Sequence, residues 1–184
     1  MKNPVNTFVG QSLKHFIRTG AIFPSSKFLA KKMIRNAKGS VVLELGPGTG
    51  VFTKEILNKL PENGTLISIE FNETFAKYIR ENIKDHRLKL IVGDALLMKK
   101  YLKENGIDKV DYIVSGLPLG HFSKELKNKI LVEAKNCLKD DGKFIQFEYL
   151  LAGIKSVKKV FPEVKISFEL LNAPPAFVME CKKI

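Results

Sequence analysis

Residues 41–50 read V-V-L-E-L-G-P-G-T-G. Val41, Val42 and Leu43, followed by Glu44 and Leu45, make a short buried strand, and the alternate glycines Gly46, Gly48 and Gly50 break it into a tight turn. Residues 51–60 supply the helix that the turn feeds, with Val51, Phe52, Ile56, Leu57 and Leu60 as its apolar stripe. Glycines in such a turn let the backbone approach a ligand closely and leave amide N–H groups free at a helix N-terminus.

A dinucleotide-binding turn spaces its glycines as G-x-G-x-x-G, whereas here they fall as G-x-G-x-G behind an acidic residue. E-x-G-x-G-x-G, Glu44 to Gly50, resembles the first motif of class I S-adenosylmethionine-dependent methyltransferases. A nucleotide-binding oxidoreductase and a purely structural strand–turn–helix are the competing readings of these ten residues.

Composition bounds the rest. A chain of 184 residues, 45% hydrophobic and 27% charged, fits one soluble domain with a full core. No run of 18 apolar residues occurs and the N-terminus lacks a signal-peptide pattern, so the expectation is a cytoplasmic protein that neither spans a membrane nor is exported. Cys137 and Cys181 are far apart, without metal-ligand spacing, and read as free thiols; no metal is expected.

The charge is uneven. Thirty-one basic against 19 acidic residues give +12, yet residues 1–40 hold eight of the basic residues and no acidic one. An anionic partner follows, either lipid phosphate or nucleic-acid phosphate. Val5, Phe8, Val9, Leu13, Phe16 and Ile17 fall at helical spacing, opposite Lys14, His15 and Arg18. That amphipathic helix either packs on the domain or lies in the interface of an anionic membrane, holding the protein reversibly on the inner face of the cell membrane. Ser25 or Ser26 then caps a second helix, Lys27 to Ala37, which Gly39 ends. Residues 1–39 thus form an N-terminal helical extension and residues 40–184 the main unit of a single structural domain.

Beyond residue 50 strands and helices alternate, which argues for a parallel sheet with helices on both faces. Strands are expected at Thr65–Glu70, Leu88–Val92, Val110–Ser115 and Lys143–Tyr149, with helices at Asn72–Lys84, Ala95–Glu104, Ser123–Leu138 and Leu151–Phe161. Two further strands, Val164–Leu171 and Ala176–Cys181, flank the proline turn at Asn172–Pro175. The fold class is α/β, a Rossmann-like seven-stranded sheet, mostly parallel, with an antiparallel last strand beside the fifth, as in the methyltransferase sheet.

Ligands bind beyond the C-terminal ends of such strands, where the acidic residues fall. Glu70 closes the second strand, 20 residues after Gly50, and can accept both ribose hydroxyls of a nucleoside. Asp94 can take an adenine amino group while the Ala95 N–H meets a ring nitrogen. Glu44 acts indirectly, on the glycine loop and the cofactor's cationic end, or is a structural carboxylate. Phe71 and Ser115, at the ends of the second and fourth strands, complete the cofactor set with Gly46, Gly48 and Gly50.

The acceptor site is expected at Ser115–Leu119, S-G-L-P-L. Adenine amino-methyltransferases carry Asn or Asp there, then an aromatic that stacks on the base; Leu119 offers no ring. Taken together, G-A-I-F-P-S-S (Gly20–Ser26), L-E-L-G-P-G-T-G, S-G-L-P-L, Q-F-E-Y (Gln146–Tyr149) and N-A-P-P-A-F-V (Asn172–Val178) resemble bacterial phospholipid N-methyltransferases, relatives of the rRNA adenine dimethyltransferases. The chain departs from them in having no Trp.

The resemblance implies S-adenosylmethionine as cofactor and an aminolipid of the phosphatidylethanolamine type as substrate, with nucleic acid ranked behind lipid. At neutral pH only about one alkylammonium in a thousand is unprotonated, so a group must take its proton. Tyr149 (also a cation–π partner), His121 and the Gly116 carbonyl as orienting acceptor are the candidates. Lys27, Lys31 and Lys32 are candidates for the lipid phosphate. The alternatives are an RNA adenine N6-methyltransferase and a non-catalytic cofactor-binding module.

Overall fold

The structure is a computed structural model that describes residues 25–150 and 154–184; the expected helix at Val5–Ile17 lies outside them. The order of elements is α1 (Lys27–Ile34), β1 (Val41–Leu45), α2 (Val51–Lys59), β2 (Thr65–Glu70), α3 (Glu73–Asn82), β3 (Leu88–Val92), α4 (Met98–Glu104), β4 (Val110–Ser115), α5 (Lys124–Cys137), β5 (Leu138–Glu148), α6 (Ile154–Val160), β6 (Glu163–Glu169) and β7 (Ala176–Lys182).

The strands form one seven-stranded sheet in the order β3-β2-β1-β4-β5-β7-β6. The β1–β2, β1–β4, β2–β3 and β4–β5 pairs are parallel, and only β7 runs against its neighbours β5 and β6. Central strands buried on both faces read as continuous apolar runs, which is why β1, β2 and β4 lack alternation. The order reverses between β1 and β4, so the crevice beyond their C-terminal ends is the switch point.

Each face of the sheet carries its own core. Val42, Leu66, Tyr112, Val114, Ile145 and Val178 face α1 and α2. Leu43, Leu45, Ile67, Ile113 and Phe144 face the opposite way, toward α4, α5 and α6. Phe144 and Phe161 stack there at 5.5 Å, both fully buried. Helix α1 packs into the first of these cores, with Leu29, Ala30 and Met33 at zero exposure. Ser26 caps it, its hydroxyl accepting from the Leu29 N–H at 3.1 Å.

Local chemistry moves several boundaries. The α-helix from Lys27 stops at Ile34, short of Ala37. Ala95–Leu97 is a 3-10 turn, capped by the Asp94 side chain, that precedes α4. Strand β5 begins at Leu138 rather than Lys143, because Asp140-Asp141-Gly142 is a bulge within the ladder: Val110 pairs with Leu138, but Tyr112 pairs with Lys143. Asp141 takes the left-handed conformation there, φ 62°. Helix α6 is described from Ile154, residues 151–153 lying outside the described part.

Candidate active site

The glycine turn leaves β1 as expected, and each of its glycines sits at positive φ: Gly46 at 69°, Gly48 at 56° and Gly50 at 79°. Their surroundings differ. A Cβ on Gly50 would come within 2.8 Å of Ile83 and one on Gly46 within 3.0 Å of Leu117, whereas one on Gly48 would meet nothing within 4 Å. Gly46 and Gly50 are therefore small so that the protein can close around them. Gly48 instead faces open space, the cradle a nucleoside-bearing cofactor requires.

Glu70 is 5% exposed at the end of β2. Its Oε2 accepts from the Gly48 N–H at 3.0 Å and its Oε1 from the Asn72 N–H at 2.7 Å. Burial raises its carboxyl above the ordinary range, against the pull of backbone N–H donors from Asn72, Gly48 and Phe71. Phe71, half-buried, follows it. Asp94 is buried and its Oδ1 accepts from the Leu96 N–H at 2.9 Å, with Ala95 buried beside it. Because β1, β2 and β3 are parallel neighbours, these residues and the glycine turn share one end of the sheet.

Glu44 points to the α2 face. It is 1% exposed, with Thr53 Oγ1 at 2.8 and 3.0 Å from its two oxygens and Ser68 Oγ at 2.5 Å from Oε2. Burial pushes its carboxyl up to about 7, and the two hydroxyls lower it in part. The carboxylate ties β1 to β2 and to the first turn of α2, and so fixes both ends of the glycine turn.

The loop after β4 closes the fourth side. Gly116 lies so near the glycine turn that a Cβ on it would reach the Gly46 carbonyl oxygen at 2.5 Å, and its N–H donates to the Leu45 carbonyl at 2.8 Å. Ser115 is fully buried and its hydroxyl accepts from the Leu117 N–H at 3.3 Å, so it shapes this loop. Leu119, at the adenine-stacking position, is a buried aliphatic side chain.

The proposed proton acceptors separate. His121 is exposed at the loop's far end. Tyr149 is half-buried and packs edge-on against Phe147 at 5.6 Å, bonded to the Asn172 side chain. Burial raises its phenol further, which makes it a poor base near neutral pH and leaves its ring for cation contact. Of the three lysines, Lys32 is engaged, donating to the Phe168 carbonyl and lying 3.6 Å from Glu169; Lys27 and Lys31 are exposed.

One carboxylate was passed over in the sequence. Glu148 closes β5 as Glu70 closes β2, so the strand-end rule that selected Glu70 selects it too. It is 7% exposed, and its Oε1 accepts from the Gly120 N–H of the β4 loop at 2.9 Å. Burial pushes its carboxyl up to about 7, the Gly120 bond and the Lys127 charge lowering it in part. Two residues earlier on the same face, Gln146 Nε2 donates to the Leu117 carbonyl at 2.9 Å. Its Oε1 is the one buried side-chain oxygen or nitrogen without a partner among the described residues.

Among the described residues there is no cluster suited to a metal ion, and no helix long and apolar enough to cross a membrane.

Several known proteins are similar to this chain. A family model described as a methyltransferase domain matches residues 36–177. An ornithine lipid N-methyltransferase of Singulisphaera acidiphila is 32% identical over 96% of this chain and 95% of its own length. A ribosomal RNA small subunit methyltransferase A of Wolbachia pipientis is 27% identical over 85% of this chain and 63% of its own. Among solved structures, the precorrin-6y C5,15-methyltransferase of Geobacter metallireducens aligns with a TM-score of 0.66 at 16% identity, covering 85% of this chain and 88% of that one. With a methyltransferase family model matched over most of the chain and a methyltransferase aligned with it almost end to end, the chain belongs to the S-adenosylmethionine-dependent methyltransferases.

Proposed function

We propose that this enzyme methylates the amine of an aminolipid head group, of the phosphatidylethanolamine or ornithine-lipid type, at an anionic membrane surface. The observation that carries the reading is the end-to-end similarity to an ornithine lipid N-methyltransferase. When bound, S-adenosylmethionine supplies a methyl group already activated by the sulfonium, so the protein has to align the amine, free it of its proton and exclude water.

The residues are suited to those tasks. Glu70, held by the Gly48 N–H, offers its remaining lone pairs to the ribose hydroxyls, and Asp94 with the Ala95 N–H offers an acceptor and a donor to an adenine edge. Gly116, pressed against Gly46, brings the acceptor loop beside the cofactor cradle. The rim at this end of the sheet is apolar: Phe28, Leu150, Leu170 and Leu171 are 56%, 72%, 71% and 63% exposed. The Ser26 N–H donates to Asn172 Oδ1 at 2.8 Å, which brings the start of α1 to the β6–β7 turn. Exposed Lys27 and Lys31 flank that rim, a pattern suited to acyl chains below and phosphates above. The basic segment at residues 5–18 adds cations worth about 1 kcal/mol each near an anionic leaflet.

RNA adenine is the second reading, favoured by the Wolbachia relative and the +12 charge. Leu119 speaks against it, because a flipped base would find no ring to stack on.

Incubation with labelled cofactor and vesicles containing phosphatidylethanolamine or ornithine lipid tests the proposal. Labelled lipid is expected; methylated adenine in RNA, with no labelled lipid from any amine-bearing head group, would replace it with the second reading. Deleting residues 1–19 should abolish sedimentation with anionic vesicles and leave cofactor affinity within about threefold.

A further inference from the structure

Glu148 is buried where a carboxylate costs free energy, and its visible bond does not require a charge. The Gly120 N–H would be satisfied by a neutral side-chain oxygen. Gly120 also leaves room for the carboxylate to lie against the loop, since a Cβ there would sit 3.0 Å from Glu148 Oε2. Oε1 accepts from the Gly120 N–H, and Oε2 lies beside Gly120 on the same carboxylate. With 7% exposure against zero for Gln146, Glu148 reaches the surface at the C-terminal edge of β5.

Its neighbours fix the chemistry. Lys127, from α5, is the cation that acts on it, yet the two form no ion pair. Phe177, its partner across β7, is apolar, and His121 follows Gly120 in the loop. Glu148 and Gln146 hold that loop at Gly120 and Leu117, so both side chains border the loop at which the acceptor amine is expected, and Gln146 Oε1 has no partner among the described residues.

Resting on the aminolipid reading, we propose that Glu148 Oε2 takes the proton of the acceptor ammonium before methyl transfer. The alkylammonium gives one proton to the carboxylate and becomes an amine. The nitrogen lone pair forms the bond to the methyl carbon as the carbon–sulfur bond breaks, its electron pair remaining on sulfur. The product nitrogen carries the positive charge, and the carboxyl releases its proton to water before the next turnover. A carboxyl held at about 7 is divided between its acid and base forms near neutral pH, which suits both halves of that cycle.

The test uses the full chain with vesicles containing ornithine lipid or phosphatidylethanolamine, following kcat/KM against pH for the wild type and Glu148→Gln. The wild-type rate should rise with pH through about 7. In Glu148→Gln, kcat should fall by about 100-fold and that limb should vanish, the rate climbing instead toward the amine's own pKa. Calorimetric titration should give S-adenosylmethionine affinity within about twofold of wild type, which reports the fold apart from the chemistry. Lys127→Met, which removes the opposing cation, should move the wild-type limb to higher pH. A Glu148→Gln enzyme that keeps the limb and a rate within about threefold overturns the inference alone, as does a limb unmoved by Lys127→Met. A wild type that transfers no methyl group to any amine overturns the aminolipid reading and this inference with it.

Discussion

Glu70 Oε2 lies 3.0 Å from the Gly48 amide nitrogen, so the carboxylate that ends β2 already reaches the glycine turn that ends β1. The Gly48 N–H and the Asn72 N–H thus fix the carboxylate before any ligand arrives, and the ordering cost of binding the proposed nucleoside to its remaining lone pairs falls accordingly.

Glu70→Gln keeps the shape of that contact and removes its charge. Charged hydrogen bonds are worth about 1.5–3 kcal/mol, so S-adenosylmethionine affinity should drop by about 10- to 100-fold while the melting temperature stays close to wild type. Titration calorimetry checks this; unchanged affinity would remove Glu70 from the cofactor site.

Two glycines of one turn should answer alanine differently. Gly48→Ala adds a methyl to open space and costs about 1 kcal/mol of backbone strain, but it obstructs the cradle, so cofactor binding should suffer more than stability. Gly50→Ala adds the same strain and brings a methyl within 2.8 Å of Ile83 Cδ1, which must shift, so denaturant unfolding should show a loss of about 2 kcal/mol. Equal stability losses would contradict the difference in their surroundings.

Glu44 gives a pH signature. Its carboxyl is raised in the folded chain to about 7 from 4.5, so folding takes up a proton there. Its contribution to stability is complete below the unfolded value and is lost as pH rises through about 7. Relative to wild type, Glu44→Gln should therefore gain stability between about pH 4.5 and pH 7, by about 3 kcal/mol, and hold that difference above it. Unfolding curves of both proteins across that window decide it; a difference that does not vary with pH would mean that Glu44 does not titrate there.

Phe161→Ala removes one ring of the buried stack with Phe144. A loss of about 3–5 kcal/mol is expected, or about 10 °C in melting temperature. Cofactor affinity measured well below the transition should be unchanged, because the pair lies on the α6 side, away from the glycine turn.

The half of the site proposed for the cofactor has local signals. Three glycines at alternate positions and an acid at the end of the next strand need no knowledge of tertiary structure, and the structure puts Gly46, Gly48, Gly50, Glu70 and Asp94 at one end of the sheet. The acceptor half was harder because its contacts are distant in sequence. Gly120 and Glu148 are 28 residues apart, and only the parallel pairing of β4 with β5 brings the loop of one to the end of the other. Tyr149 and His121 drew notice as titratable types, while Glu148 sat between Phe147 and Tyr149 and read as part of a strand. The early start of β5 was hidden for a related reason. Asp-Asp-Gly signals a turn, and the ladder absorbs that turn as a bulge.

The place of β7 has a consequence for how the chain comes into being. Among the described strands β6 pairs with β7 alone, and β7 fills the gap between β5 and β6. During synthesis the glycine turn, Glu70, Asp94 and the loop after β4 all emerge before residues 176–182 do. Until that last strand arrives, β5 presents an open edge and β6 has no partner. A nascent chain can thus hold every group proposed for the chemistry while its sheet is still unsealed, exposed at the very strand that carries Glu148.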